Sequence, residues 1–163
     1  MKHIKIKKEE VDLAKKLSLE MGELNNSITK GRGNIIGFLG EIITANYLDT
    51  KISNTYDYDM IFNNLKIDVK SKRVTTPPKD YYECSIAALS AKQKCDMYIF
   101  TRIKNDYSIG WLLGYLDKKE YFKNAKFLKK GEVDPSNNWK VSVDCYNLPI
   151  NKLNKMEELY ETH

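Results

Sequence analysis

The chain has 163 residues, 42% hydrophobic and 30% charged, with a formal net charge of +5. That suits one globular domain with a sizeable core rather than a disordered chain, and the mild basic excess favours an anionic partner. The two histidines, His3 and His163, lie at the extreme ends, which excludes Ser-His-Asp and Cys-His catalysis, the His-metal nucleases and His-based zinc sites.

The first predicted element is an amphipathic helix over 8–24, with Val11, Ala14, Leu17 and Met21 at helical spacing and acids at its start. Residues 25–33 read as a polar loop carrying Lys30 and Arg32. Gly31-Arg32-Gly33-Asn34 lacks the spacing and lysine of a phosphate-binding loop, so no nucleotide cofactor is expected. The two cations precede a second helix and would suit a phosphate at its N-terminus; an exposed loop without a role reads equally well. That helix, 34–48, is apolar on most of its circumference, so it should be buried. Glu41 sits in its middle, between Gly37 and Ala45, whose small size would let this face approach a sheet. A carboxylate there requires a metal, a cation or a set of donors, unless it reaches solvent from the edge of the apolar stripe.

Residues 56–73, YDYDMIFNNLKIDVKSKR, read as a β-hairpin turning at Asn63-Asn64, since Asn tolerates the positive φ of a two-residue type I′ turn. In that register Phe62 faces Leu65, Met60 faces Ile67 and Tyr58 faces Val69, making one face apolar. On the other face Asp59 opposes Asp68 and Asp57 opposes Lys70. Directly opposed carboxylates repel and need a compensating charge, which a divalent ion would supply; a merely solvated polar face is the alternative.

Downstream, a Pro-containing loop over 74–80 should lie beside the hairpin, with Lys72, Arg73 and Lys79 making the neighbourhood basic. Residues 82–87 read as a third strand, with Glu83 a spare ligand if its face is that of Asp59 and Asp68, and otherwise an exposed acid. A short helix follows over 87–94. Strands are expected over 96–103, continuous enough in apolar residues to be covered on both faces, and over 107–116. Residues 118–130 look helical, aligning Lys119, Lys123, Lys126 and Lys130 either along a phosphate backbone or as a solvated face. A strand over 139–146 and a terminal helix or frayed end over 154–162 complete the chain. The order α-α-β-β-β-α-β-β-α-β defines a single α/β domain with a mixed central sheet flanked by helices. Cys84, Cys95 and Cys145 are odd in number and without zinc-site spacing, so free thiols in a reducing, cytoplasmic setting are expected. No apolar run is long enough to span a membrane, and the N-terminus is not that of a signal peptide.

Glu41 on a helix, Asp59 on a strand and Asp68-Val69-Lys70 on the next resemble the PD-(D/E)XK nuclease superfamily, with Tyr58 where the motif's name has Pro. The resemblance covers roughly 33–100 and implies a restriction-endonuclease-like α-β-β-β-α-β core within residues 34–103. Residues 1–33 would then add a helix and loop, and 104–163 the remaining strands and helices. It further implies a Mg²⁺-dependent deoxyribonuclease, with Mn²⁺ able to substitute. Glu41, Asp59 and Asp68 would be metal ligands, and Lys70 would orient or deprotonate the attacking water. The small chain resembles junction-resolving, structure-selective endonucleases, which act as homodimers on double-stranded or branched DNA. An exonuclease, a restriction-type enzyme, or a binding module on a nuclease fold stay open as alternatives.

Overall fold

The computed structural model describes residues 1–24, 34–53 and 55–162. Its first element is a strand that the sequence reading had not assigned, β1 (Lys2–Lys5), which pairs antiparallel with the far strand β6 (Ile109–Asp117). The signal is the alternation of Ile4 and Ile6 with lysines: both side chains join the core from one face. Helix α1 (Lys8–Leu24) has the expected bounds. Glu10 Oε2 accepts from the Lys7 backbone N–H at 2.7 Å, supporting the start of the helix, and Ala14 is fully buried against the rest of the core.

Helix α2 (Ile35–Leu48) is buried along most of its length, as its apolar circumference requires. It stops where Asp49 takes a left-handed conformation (φ 50°) and its backbone N–H bonds back to the helix. The residue that lets α2 approach the sheet is Gly40, not Gly37. A Cβ at Gly40 would collide with Ser71 Oγ and lie 2.6 Å from Thr101 Oγ1, whereas one at Gly37 would meet nothing within 4 Å.

β2 (Met60–Phe62) and β3 (Leu65–Val74) form the expected hairpin, with Asn63 and Asn64 at φ 46° and 63° and with Met60 opposite Ile67 and Phe62 opposite Leu65. β3 pairs parallel with β5 (Met97–Lys104), giving a mixed five-stranded sheet in the order β1-β6-β5-β3-β2. Helices α1 and α2 cover one face, packing on Ile67, Val69, Ile99 and Ile103. The alternate residues of β5, Tyr98 and Phe100, enter a second core on the other face, so β5 is covered on both sides.

That second layer departs from the sequence reading. β4 (Glu83–Ala87) does not join the central sheet as a third strand. It pairs with β10 (Cys145–Pro149) in a separate sheet ordered β4-β10-β7, where β7 is Lys126–Leu128. The expected helix after it is only a 3₁₀ segment, Ala88–Lys92. Helix α3 spans Lys118–Asn124, capped by Asp117, and the chain turns extended at Ala125 to make β7 (Lys126–Leu128). Pairing with β10 outweighs the helical propensity of this Lys- and Leu-containing stretch. The Tyr121 hydroxyl ties α3 to the second sheet by donating to Cys84 O (2.9 Å) and Tyr146 O (2.8 Å). Between β7 and β10 lies a two-strand arm, β8 (Val133–Asp134) and β9 (Trp139–Lys140), and the single strand expected over 139–146 is divided between β9 and the start of β10. The C-terminal segment ends in a 3₁₀ turn and α4 (Leu159–Thr162).

Candidate active site

On β3, Asp68, Lys70 and Lys72 point to the face shared with Tyr98, Phe100 and Arg102 of β5, their partners in the ladder. Asp68 is 3% exposed. A carboxylate so placed needs compensation, and Lys70 Nζ provides it from 2.6 Å. The contact is an ion pair without hydrogen-bond alignment, so Asp68 Oδ2 remains a buried acceptor with no aligned donor.

Asp59 immediately precedes β2, and its N–H continues the ladder by donating to Ile67 O at 2.8 Å. Its side chain reaches along β3, where Oδ2 accepts from the Val69 backbone N–H at 2.7 Å. One oxygen of Asp59 is therefore committed to the backbone. Glu41 arrives from α2, next to the close approach at Gly40, and is half-buried.

The three carboxyl groups share one electrostatic environment. Burial, then the charges of Asp59 and Asp68, push Glu41 up to about 8. Burial, then Asp68, push Asp59 up to about 7, against the opposing Val69 hydrogen bond. Burial also raises Asp68, with Lys70 pulling the other way. Asp59 and Asp68 therefore titrate as a coupled pair, both raised by burial, with Lys70 favouring the ionised form of the partner it faces, Asp68. Near neutral pH the cluster thus carries protons that ordinary carboxylates would have lost.

Two residues absent from the sequence reading complete the cluster. Gln93, at the end of the 3₁₀ segment, accepts from Lys70 Nζ through Oε1 (3.0 Å) and donates through Nε2 to Tyr56 O (2.7 Å). Lys118, at the start of α3, donates through Nζ to Gln93 O and acts electrostatically on Asp68. Gln93 carries no motif; only the fold brings it to Lys70, 23 residues away in sequence.

Other expectations are corrected. Asp57 does not face Lys70: its Oδ1 accepts from the Lys94 N–H at 2.9 Å. Tyr58 does not pack on Val69, but joins the second core with Lys66 Nζ over its ring, 5.5 Å from the centroid. Both differ because the strand begins only at Met60, after Thr55 has bonded back to Tyr58 and closed a turn. Glu83, on β4, lies on the second sheet rather than beside Asp59 and Asp68. Lys119 and Lys123 share α3, but Lys126 lies on β7 and Lys130 in the following turn, so the four form no helical row. Arg73 alternates to the opposite face of β3 from Lys72. Lys79 is exposed, its Nζ 5.7 Å from the Tyr81 ring centroid. Lys30 and Arg32 lie outside the described residues.

Among the described residues, no group of three or more His, Cys, Asp and Glu side chains is spaced so that it could hold a metal ion. No helix among them is long and apolar enough to cross a membrane. No known family's sequence profile matches the chain, and no curated protein matches it.

Proposed function

We propose that the protein is a divalent-metal-dependent DNA endonuclease built on a restriction-endonuclease-like core, and that it acts on double-stranded or branched DNA. The observation that carries this reading is the cluster of Glu41, Asp59 and Asp68, raised in pKa and served by one ion-paired lysine. Three acids, one on α2, one just before β2 and one on β3, act on one another at a cost in burial and repulsion that a purely structural role does not require. Their hard oxygen donors, including the unaligned Asp68 Oδ2, fit Mg²⁺ or Mn²⁺. Bound there, such an ion would supply Lewis acidity toward a phosphate oxygen and toward water.

The chain's own groups do the remaining work. Glu41, Asp59 and Asp68 must lose their shared protons to act as ligands. Lys70, freed from Asp68 and steered by Gln93, stands ready to orient water and offset charge growing on the phosphoryl oxygens. Lys118 adds a second positive charge that acts on Asp68.

The test is incubation of labelled four-way junction, duplex and single-stranded DNA with Mg²⁺ or Mn²⁺, against an EDTA control. Metal-dependent cutting is expected. Asp68→Asn should abolish it while DNA binding survives. Wild-type cutting rates in Asp68→Asn would sink the proposed site. The Lys70–Asp68 ion pair favours a second reading, a binding module in which the lysine permanently neutralises the acid. DNA binding by a wild type that never cuts would select that reading.

A further inference from the structure

A cavity of about 700 Å³ opens along the free edge of β4 and over the outer face of the β4–β10 pair, beneath the β8–β9 arm. Two cations line it, the buried Arg102 and the exposed Lys72, which are register partners in the β3–β5 ladder. Arg102 is only 4% exposed, yet its guanidinium meets backbone carbonyls alone: Nη2 donates to Glu83 O at 2.6 Å and Nη1 to Thr101 O at 3.3 Å. The ion pairs among the described residues, Lys70–Asp68 and Lys104–Asp106, involve neither Arg102 nor Lys72. A guanidinium that is buried without an anion carries an uncompensated desolvation cost, and the neighbouring ammonium increases it. An anionic group between the two would relieve both.

The cavity's other walls describe the rest of the ligand. Glu83 Oε2 is a buried acceptor with no donor on the same lining, and the groups acting on its carboxyl include Ser136 and Asp134 of the arm and neither of the two cations. Trp139, at the mouth, is 66% exposed although it is a large aromatic, and Tyr81 beside the opening is 59% exposed. Exposed rings lining a polar-ended cavity of this size suit a flat heterocycle. Phosphate at one end, an amino-bearing ring at the other and aromatic faces between them make up one nucleotide.

We propose that this cavity holds an unpaired nucleotide of a nucleic-acid strand. Its phosphate lies between Lys72 and Arg102, its base stacks on Trp139, and an exocyclic amino group of the base donates to Glu83 Oε2. A paired base cannot enter, so the ligand is a single-stranded end, flap or junction arm. Lys72 is the next residue after Lys70 on the same face of β3, about 7 Å along the strand. The cavity would therefore receive the strand as it leaves the candidate active site. That link to cleavage rests on the nuclease reading, whereas the cavity's own chemistry does not.

The experiment uses a fluorescein-labelled oligodeoxyadenylate of about six nucleotides and full-length protein in EDTA, so that no strand is cut. Binding is followed by anisotropy, with an unlabelled copy of the same oligonucleotide used to read tryptophan emission. Trp111 is buried in the second core, so quenching reports on Trp139. The expected result is saturable binding with quenching. Trp139→Ala should weaken it at least about fivefold, as for loss of one stacking platform. Lys72→Ala should weaken it about tenfold and lower the slope of log affinity against log salt by about one. Both side chains are exposed, so neither variant threatens the fold. Binding that leaves tryptophan emission unmoved, or that both variants retain at full strength, would overturn the proposal. A wild type that quenches but never cuts in Mg²⁺ leaves the cavity standing and removes the nuclease reading. A wild type that cuts without quenching does the reverse.

Discussion

Glu41 and Asp59 hold protons several pH units above where such groups normally release them, and this has a thermodynamic sign. With ordinary values of 4.5 and 3.8 and folded values of about 8 and about 7, the folded state binds more protons than the unfolded one throughout the interval. Stability supplied by these groups is therefore complete below about pH 4 and declines as pH rises toward about 8. Thermal unfolding followed by circular dichroism in EDTA should show Tm falling from about pH 5 to about pH 8. Asp68→Asn should flatten that slope, because it removes a charge that raises both neighbours. Mg²⁺ or Mn²⁺ should stabilise increasingly over the same interval, since ligand oxygens must shed protons. A Tm that rises with pH in the wild type would contradict this account. Gln93 makes a second residue-scale prediction. Gln93→Leu removes the acceptor that steers Lys70, so cleavage should slow about tenfold to hundredfold, the usual effect of losing a supporting contact. An unchanged rate would dismiss Gln93 as a positioning residue. The hairpin that brings Asp59 near Asp68, and the buried helix that carries Glu41, were legible from periodicity. The partner of Lys70 was not: alternation set it against Asp57, and it faces Asp68 and Gln93 instead. Gln93 and Lys118 were not legible either, because nothing local in either residue's surroundings reports a contact made across the fold.

Among the elements, the helix–sheet approach is governed by one atom's absence. Gly40→Ala would push a methyl into Ser71 and Thr101, and such overpacking costs about 1–3 kcal/mol. Gly37→Ala meets open space and should stabilise by up to about 1 kcal/mol through helix propensity. Urea denaturation of the two variants separates the readings, and equal effects would show that α2 is not seated at Gly40. Cleavage by Gly40→Ala should also fall, because Glu41 moves with its neighbour. Elements with one strong periodicity were readable: α1, α2, the Asn63-Asn64 hairpin and β5. The Lys118–Lys130 stretch was not, because its helical pattern gives way at Ala125 to a strand that exists only through pairing with β10. β4 was readable as a strand but not as a member of a second sheet, since alternation does not name a partner.

At the scale of the whole molecule, β5 is the common wall of both cores, and the arm carrying β8 and β9 is mostly exposed. Native-state hydrogen exchange should be slowest in β5 and the adjacent part of β3, and much faster over 129–143. Uniform protection across those segments would mean that the second layer is as firmly held as the first. If the arm closes over the β4 cavity, an unpaired oligonucleotide should slow exchange there while leaving β5 unchanged.

The rim of the five-stranded sheet has a consequence for how copies of the chain meet. At one end, β1 is four residues long and carries Lys2 and Lys5; at the other, β2 is three residues long, with Ile52 bridging Met60 on its outer side. Short, lysine-studded or covered edges are the devices that keep sheets from adding strands from another molecule. This protein should therefore stay dispersed in conditions where flat-edged sheets cross-seed. Any self-association would have to proceed through helix or loop surfaces rather than by continuous strand pairing. Replacing Lys2 and Lys5 together by Val should raise light scattering at concentrations where the parent stays clear.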